Sequence, residues 1–239
     1  MKRPYVVCHM MGTIDGRIKT ERWSLSPAAE KQYEAVHALH QADAWMCGRE
    51  TFQSDFLEQP RDAKFPRSGK VPPGDFIVPE QTARPKSRRA AKPVFAIAVD
   101  SSGKLRWESN VMRGDRFIVL TTGKAPAGYL ADLRAKSISY LIGGRNDIDF
   151  ASVLARLRKH FGIRKLMLEG GGSINGALLA AGLIDEISLL VCPYADGAPS
   201  LPTVFDGPEP TRGAPATRLK LMRLERRPGE VVWLRYRVR

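Results

Sequence analysis

The sequence has no long apolar run. Across its 239 residues, no apolar stretch approaches the roughly 18 residues that a helix needs to cross a bilayer. The first residues lead directly into a candidate strand, with no apolar stretch followed by a cleavage site. We therefore expect a cytoplasmic protein without a secretory signal. Internal repeats and a convincing domain boundary are also missing, so we expect one domain over residues 1–239.

Cysteine is scarce as well. The three cysteines are Cys8, Cys47 and Cys192. Each lies in an apolar run, and none has the spacing of metal ligands. We therefore expect buried thiols in a reducing compartment and no metal site.

Acidic residues are outnumbered by basic ones. The chain has 25 Asp and Glu against 38 Lys and Arg, for a formal net charge of +13. The basic excess is concentrated in residues 60–92 and 212–239. Such a basic excess is compatible with binding to nucleic acid, with binding to phosphorylated small molecules, or with a solvated surface that binds no specific partner. A basic nucleic-acid-binding protein is therefore one alternative, although no recognised motif of that class is present.

The two basic segments differ in pattern. Residues 58–92 combine basic residues with six of the 17 prolines of the chain, which predicts an irregular insertion loop. The run from Leu219 to Leu224 mixes apolar and basic residues, which predicts strands whose charges cover the outer, solvated faces.

The ordered part of the chain alternates between predicted strands and helices, which excludes a disordered protein. Strands are predicted at 4–14, 43–47, 94–99, 116–120, 138–142, 165–168 and 186–192, helices from Ser26-Pro27, at Gly48 to Thr51, over 150–161 and from Ser173 to about residue 182, and a hairpin over 218–226 and 231–238. This order predicts an α/β fold with a mixed, mostly parallel sheet flanked by helices and a C-terminal antiparallel hairpin.

Three consecutive glycines are the strongest local feature. Gly170, Gly171 and Gly172 follow a predicted strand and precede a helix. Backbone amides at such a junction bind phosphate without any side chain, and glycine allows the close approach. The spacing matches neither the Rossmann fingerprint nor the P-loop, so a tight structural turn is the alternative interpretation.

A second strand–helix junction carries the run Gly48-Arg49-Glu50-Thr51. Arg49 could contact a phosphate, and Thr51 could donate to one or cap the helix. The alternative is an ordinary helix start with a surface arginine. Because a dinucleotide offers two phosphates, two such junctions in one sheet favour a dinucleotide ligand.

Three further residues are candidates for the site. Asp15 ends the first strand, where α/β sheets usually carry ligands, although it could be only a turn residue. Glu169 precedes the glycine turn, where a carboxylate is unfavourable beside a phosphate unless it binds something else, such as a hydroxyl or amino group of a substrate. Trp23 could stack on a flat ring or cover the core. The four histidines form no triad or ligand pattern with other residues.

These motifs together resemble the riboflavin-biosynthesis pyrimidine reductases, which form the C-terminal reductase domain of a bifunctional deaminase-reductase in the dihydrofolate reductase-like superfamily. The resemblance implies a homodimeric, NADPH-dependent reductase. Its substrate would be 5-amino-6-(5-phosphoribosylamino)uracil, reduced by hydride transfer to the ribose C1 of an open imine. The proton would come from solvent or a nearby acid, for which Asp15 is the candidate.

The resemblance also assigns site residues. Glu169 corresponds to a carboxylate that contacts the substrate, and Glu21 lies where the family has a substrate-binding serine. The cofactor contacts that it implies are Met11, Trp23, Gly48, Arg49, Thr51, Asp55, Gly170, Gly171, Gly172, Ser173, Ile174 and Asn175. Lys124, which follows a predicted strand, and Arg49 are the candidates for contact with the 2′-phosphate of NADPH.

The sequence departs from the family pattern in two places. Position 21 is Glu rather than Ser, and the segment after Thr51 has the single acid Asp55 in place of a paired Asp-Asp-Pro. Another small carbonyl, imine or pterin-like substrate is therefore the enzymatic alternative. A pterin reductase would need an acid on the first helix, for which Glu30 and Glu34 are the candidates.

Overall fold

The computed structural model describes residues 2–57, 62–79, 94–207 and 215–239. Contacts divide the chain into two compact units. Unit 1 consists of Met1–Pro4 and Asp43–Leu166, and unit 2 of Tyr5–Ala42 and Met167–Arg239. The expectation of a single domain over 1–239 stays a prediction. Within the described ranges, no helix has both the length and the apolar character needed to cross a bilayer.

Strands and helices alternate along most of the described chain. In order, they are β1 (Tyr5–Gly12), α1 (Pro27–His40), β2 (Ala44–Gly48), α2 (Arg49–Thr51), β3 (Phe95–Val99), β4 (Val111–Met112), β5 (Asp115–Thr121), α3 (Ala127–Ala135), β6 (Ser139–Ile142), α4 (Phe150–Phe161), β7 (Lys165–Leu168), α5 (Gly172–Ala180), β8 (Glu186–Val191), β9 (Leu219–Arg227) and β10 (Val231–Val238). A 3₁₀ turn covers Thr20–Arg22, and a π turn covers Phe52–Phe56.

Unit 1 is built on parallel strands. β2 pairs with β3, β3 with β5, and β5 with β6, all in parallel, whereas β4 pairs antiparallel with the start of β5. Every residue of β2 and β3 is buried. Continuous apolar runs of this kind are typical of parallel strands that are covered on both faces.

The proline-rich segment contacts unit 1 over its described part. Asp75 accepts hydrogen bonds of 2.6 and 2.7 Å from Nη1 of Arg156 on α4 and another from the amide of Ile142. Phe76 forms an isolated bridge with Tyr140 of β6. Residues 62–79 are therefore an irregular segment that is hydrogen-bonded to the parallel strands. The remainder of the predicted insertion, 58–61 and 80–92, lies outside the described residues.

Unit 2 joins one parallel and two antiparallel pairs. β1 pairs in parallel with β8, β8 pairs antiparallel with β10, and β10 pairs antiparallel with β9. With the parallel pairs of unit 1, this confirms the predicted mixed, mostly parallel α/β architecture with a C-terminal antiparallel hairpin.

Helix α1 starts where the sequence predicts. Ser26 accepts a hydrogen bond from the amide of Ala29, and proline occupies the first helical position, both of which favour a helix start. Val36 and His40 are buried on the inner face of the helix, whereas the neighbouring Leu39 is 59% exposed.

The C-terminal hairpin exposes apolar side chains that were predicted to face inward. Leu219, Leu221 and Leu224 are paired with Val238, Tyr236 and Leu234, so these six apolar side chains share one face. The basic residues Arg223, Arg227 and Arg235 lie instead around the ring of Trp233, which is buried. Lys220, Arg223 and Arg226 are exposed, as predicted, but the leucines are exposed as well. A β-bulge at Met222 shifts the alternation by one residue and brings Leu224 onto the face of Leu219 and Leu221.

Candidate functional site

The glycine turn in unit 2 leaves backbone amides unused. Gly170 has a φ of +110°, a conformation that L side chains rarely adopt. Gly171 precedes α5, and a Cβ atom there would meet nothing within 4 Å. Among the described residues, the amides of Gly171, Gly172 and Ser173 donate to no acceptor. The turn therefore presents free N–H groups and the positive end of a helix, which together suit an anion.

The other glycines of this region are explained by packing. A Cβ at Gly172 would lie 2.2 Å from Oδ2 of Asp206, and a Cβ at Gly176 would lie 2.3 Å from the carbonyl oxygen of Asp206. Both positions need glycine because the segment around Asp206 lies directly against α5. The glycines of this region therefore serve two purposes: some allow close packing, and others present backbone amides to an anion.

Asn175 is fully buried beside the glycine turn. Its side chain donates to the carbonyl oxygen of Val204, and its amide donates to Gly171. Its Oδ1 has no partner among the described residues, and the cofactor contact assigned to Asn175 stays a prediction. Asn175 holds the segment around Val204 against α5. Ile174 likewise donates its amide to Gly171, whereas Ser173 is exposed.

Glu169 precedes the glycine turn and is held by a histidine. Nδ1 of His37, on α1, lies 2.5 Å from Oε1 of Glu169. The Glu169 side chain is 10% exposed and that of His37 26% exposed. A carboxylate with so little contact with water needs such a partner, because burying an unpaired charge is costly.

Asp15 is bound to its own loop. Its Oδ1 accepts hydrogen bonds from the hydroxyl of Thr13 and the amide of Asp196, and its Oδ2 accepts from the amide of Gly197. These hydrogen bonds, that of Thr13 above all, hold the pKa of Asp15 well below its usual range. The carboxyl group stays ionised, so the expectation that Asp15 supplies a proton is not supported. It organises the loop that follows β1.

Three more predicted residues of unit 2 lie in different environments. Trp23 is buried, its ring stacks on Tyr194 at a centroid distance of 6.2 Å, and its Nε1 has no partner among the described residues. Met11 is buried in β1, in register with Leu190 of β8. Glu21 is exposed, 3.7 Å from Nζ of Lys19. Trp23 therefore covers the core, and the ligand contacts assigned to all three stay predictions.

The second predicted junction lies in unit 1. Gly48 precedes the short helix α2, to which Thr51 belongs, and Arg49 donates to Asp62 at 2.6 Å and to Gln53 at 2.8 Å. Asp55 is exposed and accepts a hydrogen bond from Ser54. Since Arg49 already has an acidic partner, a phosphate would have to compete with Asp62. The cofactor contacts assigned to this junction stay predictions.

Lys124 follows β5 at the carboxyl edge of the parallel strands. The hydroxyl of Thr122 accepts the hydrogen bond of the Lys124 amide, and the amide of Gly123 donates to Gly144 after β6. A Cβ at Gly123 would lie 3.0 Å from the carbonyl oxygen of Arg145. Two strand ends that carry basic residues therefore meet at this edge.

The structure adds one residue, His37, to the candidate site, and it gives less support to Glu30 and Glu34, the two acids of the pterin alternative. His37 was not predicted, because 132 positions separate it from Glu169 and no local motif connects them. Glu30 and Glu34, the acids required for a pterin reductase, are both exposed on α1. They precede His37 by seven and three residues, which places them on the same side of the helix as His37, so their exposure alone is what weakens this pair.

Comparison with known proteins identifies the family. Residues 4–233 match the RibD C-terminal domain. A relative from Methanothermobacter thermautotrophicus, named 2,5-diamino-6-ribosylamino-4(3H)-pyrimidinone 5′-phosphate reductase, is 30% identical over 223 residues, 92% of each chain.

Solved structures agree in fold. A pyrimidine reductase-like protein from Corynebacterium diphtheriae has a TM-score of 0.70 at 18% identity, covering 99% of this chain and 92% of that one. The riboflavin biosynthesis reductase Rib7 of Saccharomyces cerevisiae has a TM-score of 0.62 at 19% identity, covering 99% and 90%. The chain therefore belongs to the RibD C-terminal domain family and has the dihydrofolate reductase-like fold of the pyrimidine reductases.

Proposed function

We propose that this protein is an NADPH-dependent reductase of a ribosylamino-pyrimidine 5′-phosphate in riboflavin biosynthesis. The relative from M. thermautotrophicus is named for the 2,5-diamino-pyrimidinone, whereas the sequence motifs suggested the corresponding amino-uracil. Both compounds carry the same phosphoribosylamino group, which is the part that is reduced. The proposal therefore covers both pyrimidines as substrates to be compared.

The observation that carries the proposal is the pairing of an anion site with a carboxylate. The free amides at Gly171 to Ser173 suit a diphosphate, and Glu169 directly before them suits a hydroxyl or amino donor. One short segment therefore offers contacts to both a dinucleotide and a substrate.

The residues of this chain would act by binding and positioning. Reduced nicotinamide supplies the hydride, which would add to the ribose C1 of the open imine while the imine nitrogen gains a proton. The amides of the glycine turn would hold the diphosphate, and Glu169 would accept a hydrogen bond from the substrate. Holding two reactants in a near-attack geometry is a large part of such catalysis. Since Asp15 stays ionised, solvent is the simplest source of the proton.

A preference for NADPH over NADH is part of the proposal. Lys124 is the favoured contact for the 2′-phosphate, because Arg49 already pairs with Asp62. A cytoplasmic location is also proposed. Cys8 and Cys192 are buried thiols, and burial raises the pKa of Cys192 to about 11, as for thiols that serve in packing.

A homodimer is supported by the apolar face of the C-terminal hairpin. Leu224 is 65% exposed and Leu221 51% exposed, on a face that also carries Leu234 and Tyr236. Exposed apolar patches on an edge strand usually mark an interface. A patch with an apolar centre is complementary to a second copy of itself, as a twofold interface requires. We infer that the second copy of this chain covers it.

Titration of the purified protein with NADPH, and in parallel with NADH, tests the cofactor assignment. We expect saturable binding, followed by nucleotide fluorescence, with a lower Kd for NADPH. A pterin and a DNA duplex serve as comparisons for the alternative functions. Binding of neither nucleotide would contradict the proposed function, and salt-sensitive DNA binding in its place would favour the nucleic-acid alternative.

A further inference from the structure

His37 and Glu169 form a pair that the sequence did not suggest. The imidazole comes from the last turn of α1, and the carboxylate comes from the residue between β7 and the glycine turn. Their contact of 2.5 Å joins Nδ1 to Oε1. No described residue hydrogen-bonds to the other oxygen, Oε2. One carboxylate oxygen is therefore fixed and the other is left for a ligand.

The surroundings explain why Glu169 needs such a partner. Burial, with the nearby Glu169 charge as the second cause, raises the pKa of the Cys8 thiol. His9 is buried and also within the electrostatic reach of Glu169, although burial dominates and lowers its pKa. His37 is the partner that contacts the carboxylate directly. Without it, the side chain of Glu169 would be free to rotate away from the glycine turn.

We propose that His37 is a positioning residue of the reductase site. By donating from Nδ1 to Oε1, it holds Glu169 so that Oε2 accepts a hydrogen bond from the amino or hydroxyl group of the pyrimidine substrate. The inference rests on the proposed function, since it assigns Glu169 to the substrate. It extends that function, because His37 lies on α1, outside every motif that suggested the reductase.

Three variants of His37 test the role. His37→Phe retains a flat ring but removes the donor, His37→Ala removes the whole side chain, and His37→Asn places an amide donor close to the position of Nδ1. Lys31→Ala, an exposed change on the same helix, is the matched control. Steady-state reduction of each pyrimidine phosphate with NADPH gives kcat and KM, and a thermal melt for each variant tests folding.

We expect His37→Phe and His37→Ala to lower kcat/KM for the pyrimidine by about 10²-fold, as for other losses of substrate positioning. The Kd of NADPH should stay near that of the wild type. The Tm should fall in His37→Phe and His37→Ala, because the buried Glu169 carboxylate loses its partner, and His37→Asn should recover much of both losses. Combining His37→Phe with Glu169→Gln should cost little more than Glu169→Gln alone, because the two residues act together.

The outcomes separate the two proposals. Wild-type protein that reduces neither pyrimidine phosphate would refute the proposed function, and with it the role of His37. Active wild-type protein with His37→Phe within about twofold of it would overturn the role of His37 alone. A fall in Tm with equal losses in all three variants, His37→Asn included, would show a structural role and would also overturn it.

Discussion

Ser188 and Trp233 are joined by a buried hydrogen bond in unit 2. The indole Nε1 donates to the Ser188 hydroxyl at 2.9 Å. The same oxygen lies 3.1 Å from Nδ1 of His9 and 3.3 Å from Nε2 of His40. A single hydroxyl on β8 therefore connects polar groups from β1, α1 and β10 inside the core.

We expect Ser188→Ala to destabilise the protein by about 1–3 kcal/mol, because it leaves the buried indole N–H without an acceptor. Chemical denaturation with urea measures the free energy of unfolding. Ser152→Ala, at an exposed position on α4, is the control and should change it little. If Ser188→Ala changed the free energy of unfolding as little as Ser152→Ala, the Ser188 hydroxyl would not contribute significantly to stability.

His9 predicts a loss of stability in acid. Burial lowers its pKa in the folded protein below the ordinary value of 6.5, with Glu169 partly offsetting the effect. The unfolded state therefore binds more protons than the native state once the pH falls below about 6.5, and stability declines until the native pKa is reached.

The test measures the free energy of unfolding of the wild type and of each variant from about pH 8 to about pH 5, a range that includes the ordinary histidine pKa. We expect His9→Gln to give a shallower decline than the wild type, whatever its stability at neutral pH. His160→Gln on α4 serves as the control and should keep the wild-type slope. If the stability of His9→Gln declined as steeply as that of the wild type when the pH falls, other groups would be responsible for the acid sensitivity.

The apolar hairpin face predicts how the dimer can be dissociated. The double variant Leu221→Lys/Leu224→Lys places two charges on the apolar face, where burial in an interface would be costly. In light scattering, the wild type should have twice the 26.5 kDa mass of one chain, and the variant the mass of a monomer. Leu39→Lys, at an exposed leucine on α1, should remain dimeric. A wild type that is monomeric at assay concentrations would refute the interface.

The glycine turn predicts an electrostatic effect on cofactor binding. A side chain at Gly171 has open space, so Gly171→Asn and Gly171→Asp should both fold. The aspartate adds a negative charge beside the proposed diphosphate, whereas asparagine has the same shape without the charge. We expect NADPH binding to be at least tenfold weaker in the Asp variant than in the Asn variant. Equal Kd values would place the diphosphate elsewhere.

The proposed contact between Lys124 and the 2′-phosphate leads to a prediction about the preference for NADPH over NADH. Lys124→Ala should weaken NADPH binding by about tenfold and leave NADH binding nearly unchanged, because only NADPH carries the 2′-phosphate. Arg49→Ala is the comparison, and should change the NADPH to NADH ratio less, since Arg49 already pairs with Asp62. An unchanged ratio in the variant that combines both substitutions would show that neither residue reads the 2′-phosphate.

Local patterns in the sequence predicted most of the strands and helices. The Ser26-Pro27 helix start, the glycine turn before α5 and the C-terminal hairpin each depend on nearby residues. Helix α3 was not predicted, because its start has no side-chain cap. The bulge at Met222 was also missed, since a bulge depends on how two strands pair.

The candidate site was predicted only in part. Glycine and charge patterns indicated the anion site, because backbone conformation is a local property. The contact between His37 and Glu169 and the hydrogen bonds that hold Asp15 join segments far apart in the chain. Such contacts exist only in the folded protein. The hydrogen bonds that hold Asp15 ionised, and that argue against the proton-donor role predicted for it, could therefore not be inferred from the sequence.

The most direct test of the proposed function is the oxidation of NADPH by the purified protein in the presence of each of the two ribosylamino-pyrimidine 5′-phosphates. We predict stoichiometric loss of reduced nicotinamide and formation of the ribitylamino product, detected by mass spectrometry as a gain of two hydrogens on the ribose-derived chain. Turnover with one pyrimidine and not the other would identify the substrate. Tight NADPH binding with no turnover of either pyrimidine would contradict the proposed function.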